Sequence, residues 1–371
     1  MSFVVVGGGI YGLFIAYHLI NEGADVTIID QTEPGSWSRA AVGLLEYKAL
    51  GINIINTFSY LMQFINMIRK NDATIKYIDK NWIFKYFSKL GRKIPENIIN
   101  AIKIMNDHSR ETYRRLAEEK NDFEYSEEPY YELTNNVENV IKKAKKDPLN
   151  PKFEVSELMG RYAIIFKDTA KLSTDLLINR LLRELERSKT RFIKAFVWDI
   201  NEDSVYLNNG RIVKSDTIIV AAGYHSSILG VPIIPFKGFG IRIKSTIKFN
   251  YIASFDDLGI FILPFNNWLK ISSRFDPDSS IDTKPLREII KRIKRVISDF
   301  EIIDITIGYR PCAPDGLPII DKINDKIFVA TGGCRLGWTQ APGAAKLIVD
   351  LALGKIKQTS FNIKRFSNEF K

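Results

Sequence analysis

A chain of 371 residues, 45% of them hydrophobic, has enough apolar surface for two lobes with cores of their own, which excludes a disordered protein. No apolar run approaches the roughly 18 residues of a membrane-spanning helix. Three scattered histidines, His18, His108 and His225, form no ligand cluster, so no metal is expected. Two cysteines, Cys312 and Cys334, cannot build a disulfide framework and suit a reducing compartment. The net charge of +10 reads either as attraction to an anionic membrane face or acidic redox partner, or as an ordinary solvated surface. Basic runs at 142–146 and 291–295 have the look of polar helix faces, which favours the second reading. No segment has the pattern of a nucleic-acid module.

In chain order, the first element is an apolar strand at 3–6. It runs into Gly7-Gly8-Gly9-Ile10-Tyr11-Gly12, which fits the fingerprint G-x-G-x-x-G. Leu13, Ala16, Tyr17, Leu19 and Ile20 then recur at helical spacing, and the helix ends near Gly23. A second apolar strand at 26–29 delivers Asp30, followed by Gln31. Gly7 permits the tight turn, Gly9 lets the backbone approach a pyrophosphate, and Gly12 lets the helix pack on the strand. The helix N-terminus, at Ile10 and Tyr11, offers free N–H groups to phosphates, and Asp30 can accept both ribose hydroxyls. Strand, loop, helix, strand and acid in this order predict a dinucleotide site. The same apolar segment lacks a basic leader, so 1–30 is not expected to be a signal peptide and a cytoplasmic protein is expected.

Residues 49–147 carry no nucleotide motif. Helical patterning appears around 56–69 and 98–120, while 73–87 and 123–134 read as strand or loop. Leu172, Leu176, Leu177, Leu181, Leu182 and Leu185 predict an amphipathic helix over 171–188, capped by Ser173 or Thr174. Strands are expected at 191–198 and 205–207, with a turn at Asn208-Asn209-Gly210, and 212–220 returns to the nucleotide domain. Alternation over 232–275 predicts half-exposed antiparallel strands. A basic helix at 285–298, strands at 304–307 and 327–330, and a helix at 341–353 ending at Gly354 follow.

Five further segments are similar to those of one family. They are Pro34-Gly35-Ser36-Trp37-Ser38-Arg39-Ala40-Ala41-Val42-Gly43-Leu44-Leu45, Val220-Ala221-Ala222-Gly223, Pro235-Phe236-Lys237-Gly238-Phe239, the Arg310-Pro311 to Pro314-Asp315-Gly316 motif, and Thr331 to Gly343 with Gly333-Cys334-Arg335-Leu336-Gly337-Trp338-Thr339-Gln340. In this order they resemble the D-amino acid oxidase superfamily of flavoproteins, which includes glycine oxidase, monomeric sarcosine oxidase and bacterial D-amino acid dehydrogenase. The resemblance implies an α/β fold: a Rossmann-type FAD-binding domain (1–48, 149–230 and 304–371) with an interleaved α+β substrate domain (49–148 and 231–303) on an antiparallel sheet. It also implies FAD contacts from Ser38, Arg39, Ala40, Gly43, Leu44, Val197, Ala221, Ala222, Gly223, Gly333, Gly337, Trp338, Thr339 and Gln340. The family's linkage cysteine falls at Gly308, so the FAD is expected to be non-covalent. Two departures stand out. Ala41 replaces a usual Asn, and Gly333-Cys334 replaces a Gly-His or His-Gly pair, so no histidine role carries over. Cys334 reads as a small buried hydrophobe and His225 as structural.

The reaction implied is oxidation of a carbon–nitrogen bond beside a carboxylate, with hydride passing from the α-carbon to flavin N5. A guanidinium is the natural clamp for the carboxylate. Arg310 matches the family's clamp, with a structural pairing to Asp315 as the alternative, and Arg335 is the second contact. The N-terminus at Gly337–Gln340 can face the flavin edge where negative charge gathers. Tyr47 and Tyr251 stand open between core and substrate roles. The substrate expected is a small amino acid (a D-amino acid, glycine, or an N-alkyl amino acid such as proline or sarcosine). Electrons go to a quinone or dye, the alternative being oxygen. A subunit of a larger amino acid dehydrogenase, one resting on the inner membrane face, and a 2-hydroxy acid dehydrogenase also remain open.

Overall fold

Strand Ser2–Val6 is apolar throughout because both its faces are buried. Phe3 and Val5 enter the core under the helices, while Val4 and Val6 enter a second core on the opposite face. In the computed structural model, which describes residues 1–367, this strand is central to a six-stranded sheet. Its order is Ile319–Lys322, Ile327–Thr331, Thr217–Val220, Ser2–Val6, Asp25–Asp30 and Arg191–Lys194. All neighbours pair in parallel except Ile319–Lys322 at one edge. Helices Ile10–Asn21, Thr174–Arg187 and Gly337–Ala352 cover one face. A meander of Val197–Asn201, Ser204–Leu207 and Ile212–Lys214 covers the other.

The second sheet has eight strands, in the order Glu301–Cys312, Ile234–Lys244, Leu269–Pro277, Ile260–Pro264, Ile252–Phe255, Tyr130–Leu133, Arg161–Phe166 and Phe153–Leu158. Phe239, Ile241, Ile262 and Ile271 bury one face against Ile289 and Ile293 of helix Leu286–Lys294. The sheet is mixed rather than purely antiparallel, because Tyr130–Leu133 runs parallel to Ile252–Phe255. Phe153–Phe166 and Glu301–Cys312 hydrogen-bond into this sheet, so the segments beginning at 149 and 304 cross between the two layers.

Other expectations shift as well. Residues Lys80–Lys89 are helical, not strand or loop: Asp79 caps the helix by accepting the Trp82 N–H, and Trp82 and Tyr86 bury one side at i, i+4 spacing. The strand expected at 191–198 is two strands, in different sheets. The last long helix starts at Gly337, four residues earlier than expected, with Pro342 inside it. Proline leaves the carbonyl four residues back without its donor. Here that carbonyl is Trp338 O, and the buried Tyr113 hydroxyl donates to it at 2.6 Å.

Candidate active site

A cleft of about 540 Å³ opens between the two sheets. One end lies over the glycine loop. Gly7 takes φ +103°, and a Cβ there would sit 2.5 Å from Ala221 O. A Cβ on Gly12 would sit 1.8 Å from Gly7 O, so only glycine lets the helix start this close to the strand. At Gly9 a Cβ would meet just one side-chain atom, Ser38 Oγ, at 3.3 Å. Ser38 Oγ accepts the Ile10 N–H at 3.0 Å, joining the loop to the helix N-terminus. Asp30 accepts the Gly8 N–H at 2.6 Å and the Thr32 N–H at 2.7 Å, and it still lines the cavity.

Of the residues expected at the site, Gly7, Gly9, Ile10, Tyr11, Asp30, Gln31, Ser38, Ala40, Val197, Ala221, Ala222, Gly223, Gly333, Gly337, Trp338, Arg310 and Arg335 line this one cavity. Others stand behind it. Gly12 carries the helix contact just described. Arg39 is engaged by the Asp175 carboxylate at 3.5 Å and by Asn179 at 2.7 Å. A Cβ on Gly43 would strike Leu172 O at 2.0 Å, Leu44 packs among Tyr130 and its neighbours, and Gln340 is buried. Thr339 Oγ accepts the Glu46 N–H at 3.0 Å. Tyr47 is a core residue, its hydroxyl facing Tyr125, and Tyr251 packs on Tyr131 at the surface.

Sequence reasoning missed an aromatic wall. Trp37, Tyr224, His225 and Tyr309 line the cavity, with ring centroids 4.5 Å apart for Trp37 and Tyr309 and 4.0 Å for Tyr224 and His225. Burial holds the His225 imidazole below its usual range, hence neutral near pH 7. Their proximity left no sequence signal, since they come from three separate segments.

The other end of the cavity carries charge. Gly238 and Gly308 are register partners on adjacent strands. A Cβ on Gly308 would lie 2.7 Å from Ala40 Cβ, and one on Gly238 would lie 2.3 Å from the Arg310 guanidinium. The bare backbone therefore lets the sheet close on residues 37–40 and gives Arg310 room to lie across it. Arg310 sits on strand Glu301–Cys312 itself, not after it. It donates to Arg274 O at 3.2 Å and to Ser272 Oγ at 3.4 Å, and its guanidinium lies over the Phe275 ring at 5.5 Å. Asp315 is not its partner: Arg365 grips both Asp315 oxygens, at 2.7 and 3.2 Å. Among the described residues no carboxylate pairs with Arg310 or with Arg335. Burial, and then the neighbouring Arg335 charge, lower the Arg310 pKa to about 10. Two neighbouring, half-buried guanidiniums without a paired carboxylate are costly alone and suit a bound anion.

The cysteines require a correction. Cys312 and Cys334 form a disulfide, with Cα atoms 4.4 Å apart, so Cys334 is not merely a small hydrophobe. The bond ties the strand carrying Arg310 to the loop carrying Arg335. It also leaves neither thiol free to bond a flavin. Trp82 Nε1 donates to Cys312 O at 2.8 Å from the helix beside it.

A six-stranded nucleotide-binding sheet facing an eight-stranded sheet across an anion-ready cavity defines a two-layer flavoenzyme architecture. A family model described as FAD dependent oxidoreductase (DAO) matches residues 2–351. The chain belongs to this DAO family of FAD-dependent oxidoreductases. It is 43% identical over 366 residues to the D-proline dehydrogenase of Pyrobaculum islandicum, covering 99% of both chains. It is 23% identical over 407 residues to a D-amino acid dehydrogenase of Helicobacter pylori, covering 99% of this chain and 98% of that one. Among solved structures, glycine oxidase from Geobacillus kaustophilus superposes with a TM-score of 0.73 at 16% identity, covering 100% of this chain and 98% of that one. L-proline dehydrogenase from P. horikoshii gives 0.67 at 17%, covering 98% and 96%. These two show the fold.

The cofactor is FAD, and the residues present fit it. Beyond the glycine cradle, the buried Tyr11 hydroxyl has no hydrogen-bond partner and points at Gly333, where a Cβ would lie 2.5 Å away. A cofactor in the cavity would supply that partner. No helix among the described residues is long and apolar enough to cross a membrane.

Proposed function

We propose that the protein is an FAD-dependent dehydrogenase of D-amino acids that prefers a cyclic secondary amino acid of the D-proline kind and passes electrons to a quinone or dye-type acceptor. The observation that carries this is the unneutralised pair Arg310 and Arg335 at the flavin end of the cavity. It is joined by whole-length similarity to a D-proline dehydrogenase. Bound FAD supplies the hydride acceptor. The chain does the rest. Arg310 clamps the carboxylate with its planar fork and Arg335 adds a second charge, orienting the α-carbon. The disulfide keeps the two arginines in register. Gly7, Gly9 and Asp30 hold the dinucleotide half, and the aromatic wall screens the cavity from water.

Anaerobic mixing with D- and L-amino acids, glycine, sarcosine, D- and L-proline and 2-hydroxy acids tests this reading by flavin bleaching. D-Proline should bleach fastest, and the bleached flavin should persist in air until a dye is added. Bleaching by 2-hydroxy acids alone overturns the reading, and rapid recovery in air makes the enzyme an oxidase.

A second test concerns Asp30. Asp30→Ala should weaken FAD binding to the apoprotein by about 1–3 kcal/mol, the range for losing a charge-assisted acceptor. Unchanged affinity in a titration removes Asp30 from the cofactor site.

A further inference from the structure

The strand segment beneath Arg310 is irregular. Register between strands Ile234–Lys244 and Leu269–Pro277 sets Lys237 opposite Asp276 and Phe239 opposite Ser273, so Arg274 and Phe275 together stand against the single residue Gly238. Two residues against one make a β-bulge, which bends a strand and re-aims what it carries. Arg274 takes φ +74°, in the left-handed region that favours glycine. Arg310's hydrogen-bond acceptors and its ring contact all come from this segment. The Arg274 carbonyl and Ser272 Oγ accept from its guanidinium at 3.2 and 3.4 Å, and the Phe275 ring lies beneath it.

An arginine in that conformation is held there by its own side chain. Arg274 Nε donates to Asp276 Oδ2 at 2.9 Å, Nη1 to Asn71 O at 2.7 Å and Nη2 to Thr74 Oγ1 at 3.3 Å. Asp276 Oδ1 accepts the Thr74 N–H at 2.8 Å, and the Arg274 and Asp276 side chains are only 5% and 0% exposed. Both Asp276 oxygens are thus engaged, and this carboxylate does not pair with Arg310. The next residues reinforce the clasp: the Lys76 and Tyr77 N–H groups donate to Pro277 O at 2.8 and 2.9 Å. A disfavoured backbone conformation fixed from several sides at once is the kind that persists at functional sites.

We propose that Arg274 is a positioning residue for the substrate carboxylate. Its side chain, clasped by Asp276 and by residues 71–74, keeps its backbone left-handed. That backbone turns the Arg274 carbonyl onto Arg310 and aims the guanidinium fork into the cleft. The role rests on the carboxylate clamp in the reading above. Arg310 lines the cleft and Arg274 lies behind it, so Arg274 acts only through Arg310. Two neutral acceptors at the long end of the hydrogen-bond range orient the fork without cancelling its charge, which stays available to a carboxylate.

The test titrates the FAD-loaded enzyme with tetrahydrofuran-2-carboxylate and reads the flavin spectrum. This analogue keeps the ring and carboxylate of proline but has an ether oxygen in place of nitrogen. Arg274→Ala should weaken its binding about 5- to 100-fold, the range for misaligning a charge-assisted hydrogen bond, with FAD content unchanged. Arg274→Gly loses the same side chain but takes a positive φ freely, so it should bind the analogue severalfold more tightly than Arg274→Ala. A side chain that served stability alone would give the reverse order or none. Both variants are made with and without Asp276→Asn, which relieves the buried carboxylate that loss of Arg274 would orphan. In an Arg310→Ala background, Arg274→Ala should cost nothing further, because both act through one guanidinium. Equal weakening in the glycine and alanine variants overturns the proposal, as does full additivity with Arg310→Ala. If Arg310→Ala binds the analogue as well as wild type, the clamp fails and this role with it. A wild type that binds the analogue through Arg310 but is bleached by no amino acid overturns the proposed reaction alone, since the binding series is read without turnover.

Discussion

Replacing Arg310 by alanine is expected to raise the D-proline concentration for half-maximal flavin reduction by tens- to thousands-fold, with FAD content unchanged. Truncating one side of a desolvated charge pair costs about 2–5 kcal/mol, which sets that range. Arg310 is half-buried, and its own contacts, to Arg274 O and Ser272 Oγ, are long and neutral, so no paired carboxylate is orphaned by its loss. Arg310→Lys keeps a charge but loses the planar fork, and should recover only part of the defect. Pyrrolidine, which has the ring and nitrogen without the carboxylate, is the control. Wild type should handle it poorly, and Arg310→Ala should penalise it little further. Equal penalties for proline and pyrrolidine would make Arg310 structural and pass the clamp to Arg335.

Gly9→Leu is expected to give folded but colourless protein. The Cβ asks only a small shift of Ser38 Oγ, 3.3 Å away, but the rest of the side chain must project over the helix N-terminus where the pyrophosphate belongs. Circular dichroism should match wild type while the flavin absorbance disappears. Gly12→Ala is different in kind: its Cβ would overlap Gly7 O at 1.8 Å, so it should destabilise the fold as well as release the cofactor. Acid precipitation of wild type should leave yellow FAD in the supernatant, since both cysteines are joined to each other. Flavin retained on the pellet would falsify non-covalent binding, and yellow Gly9→Leu protein would free that position from the cofactor site.

Much of the nucleotide half was legible because its chemistry is written contiguously. The strand, the glycine loop, the helix and Asp30 lie within thirty residues, and each glycine's task follows from the backbone approach it permits. Arg310 and Arg335 were legible for a similar reason, each lying within a motif. The helix Lys80–Lys89 was misread although its signals were local, namely the Asp79 cap and the i, i+4 pair Trp82 and Tyr86. Aromatic residues favour strands, and the burial of one helical face through Trp82 and Tyr86 overrides that propensity.

The sequence by itself determined the nucleotide fingerprint, the amphipathic periods and the identity of the two guanidiniums, because these depend on neighbours a few residues apart. Tertiary structure alone decided the partners. Arg365, fifty residues beyond Asp315, takes that carboxylate, so Asp315 does not pair with Arg310. Register across adjacent strands sets Gly238 beside Gly308. Tyr113 satisfies the carbonyl that Pro342 leaves open. Cys312 and Cys334, separated by 22 residues, meet because a strand end and the loop carrying Arg335 converge. Neutralisation, desolvation and covalent pairing depend on distance in space, which no spacing along the chain records.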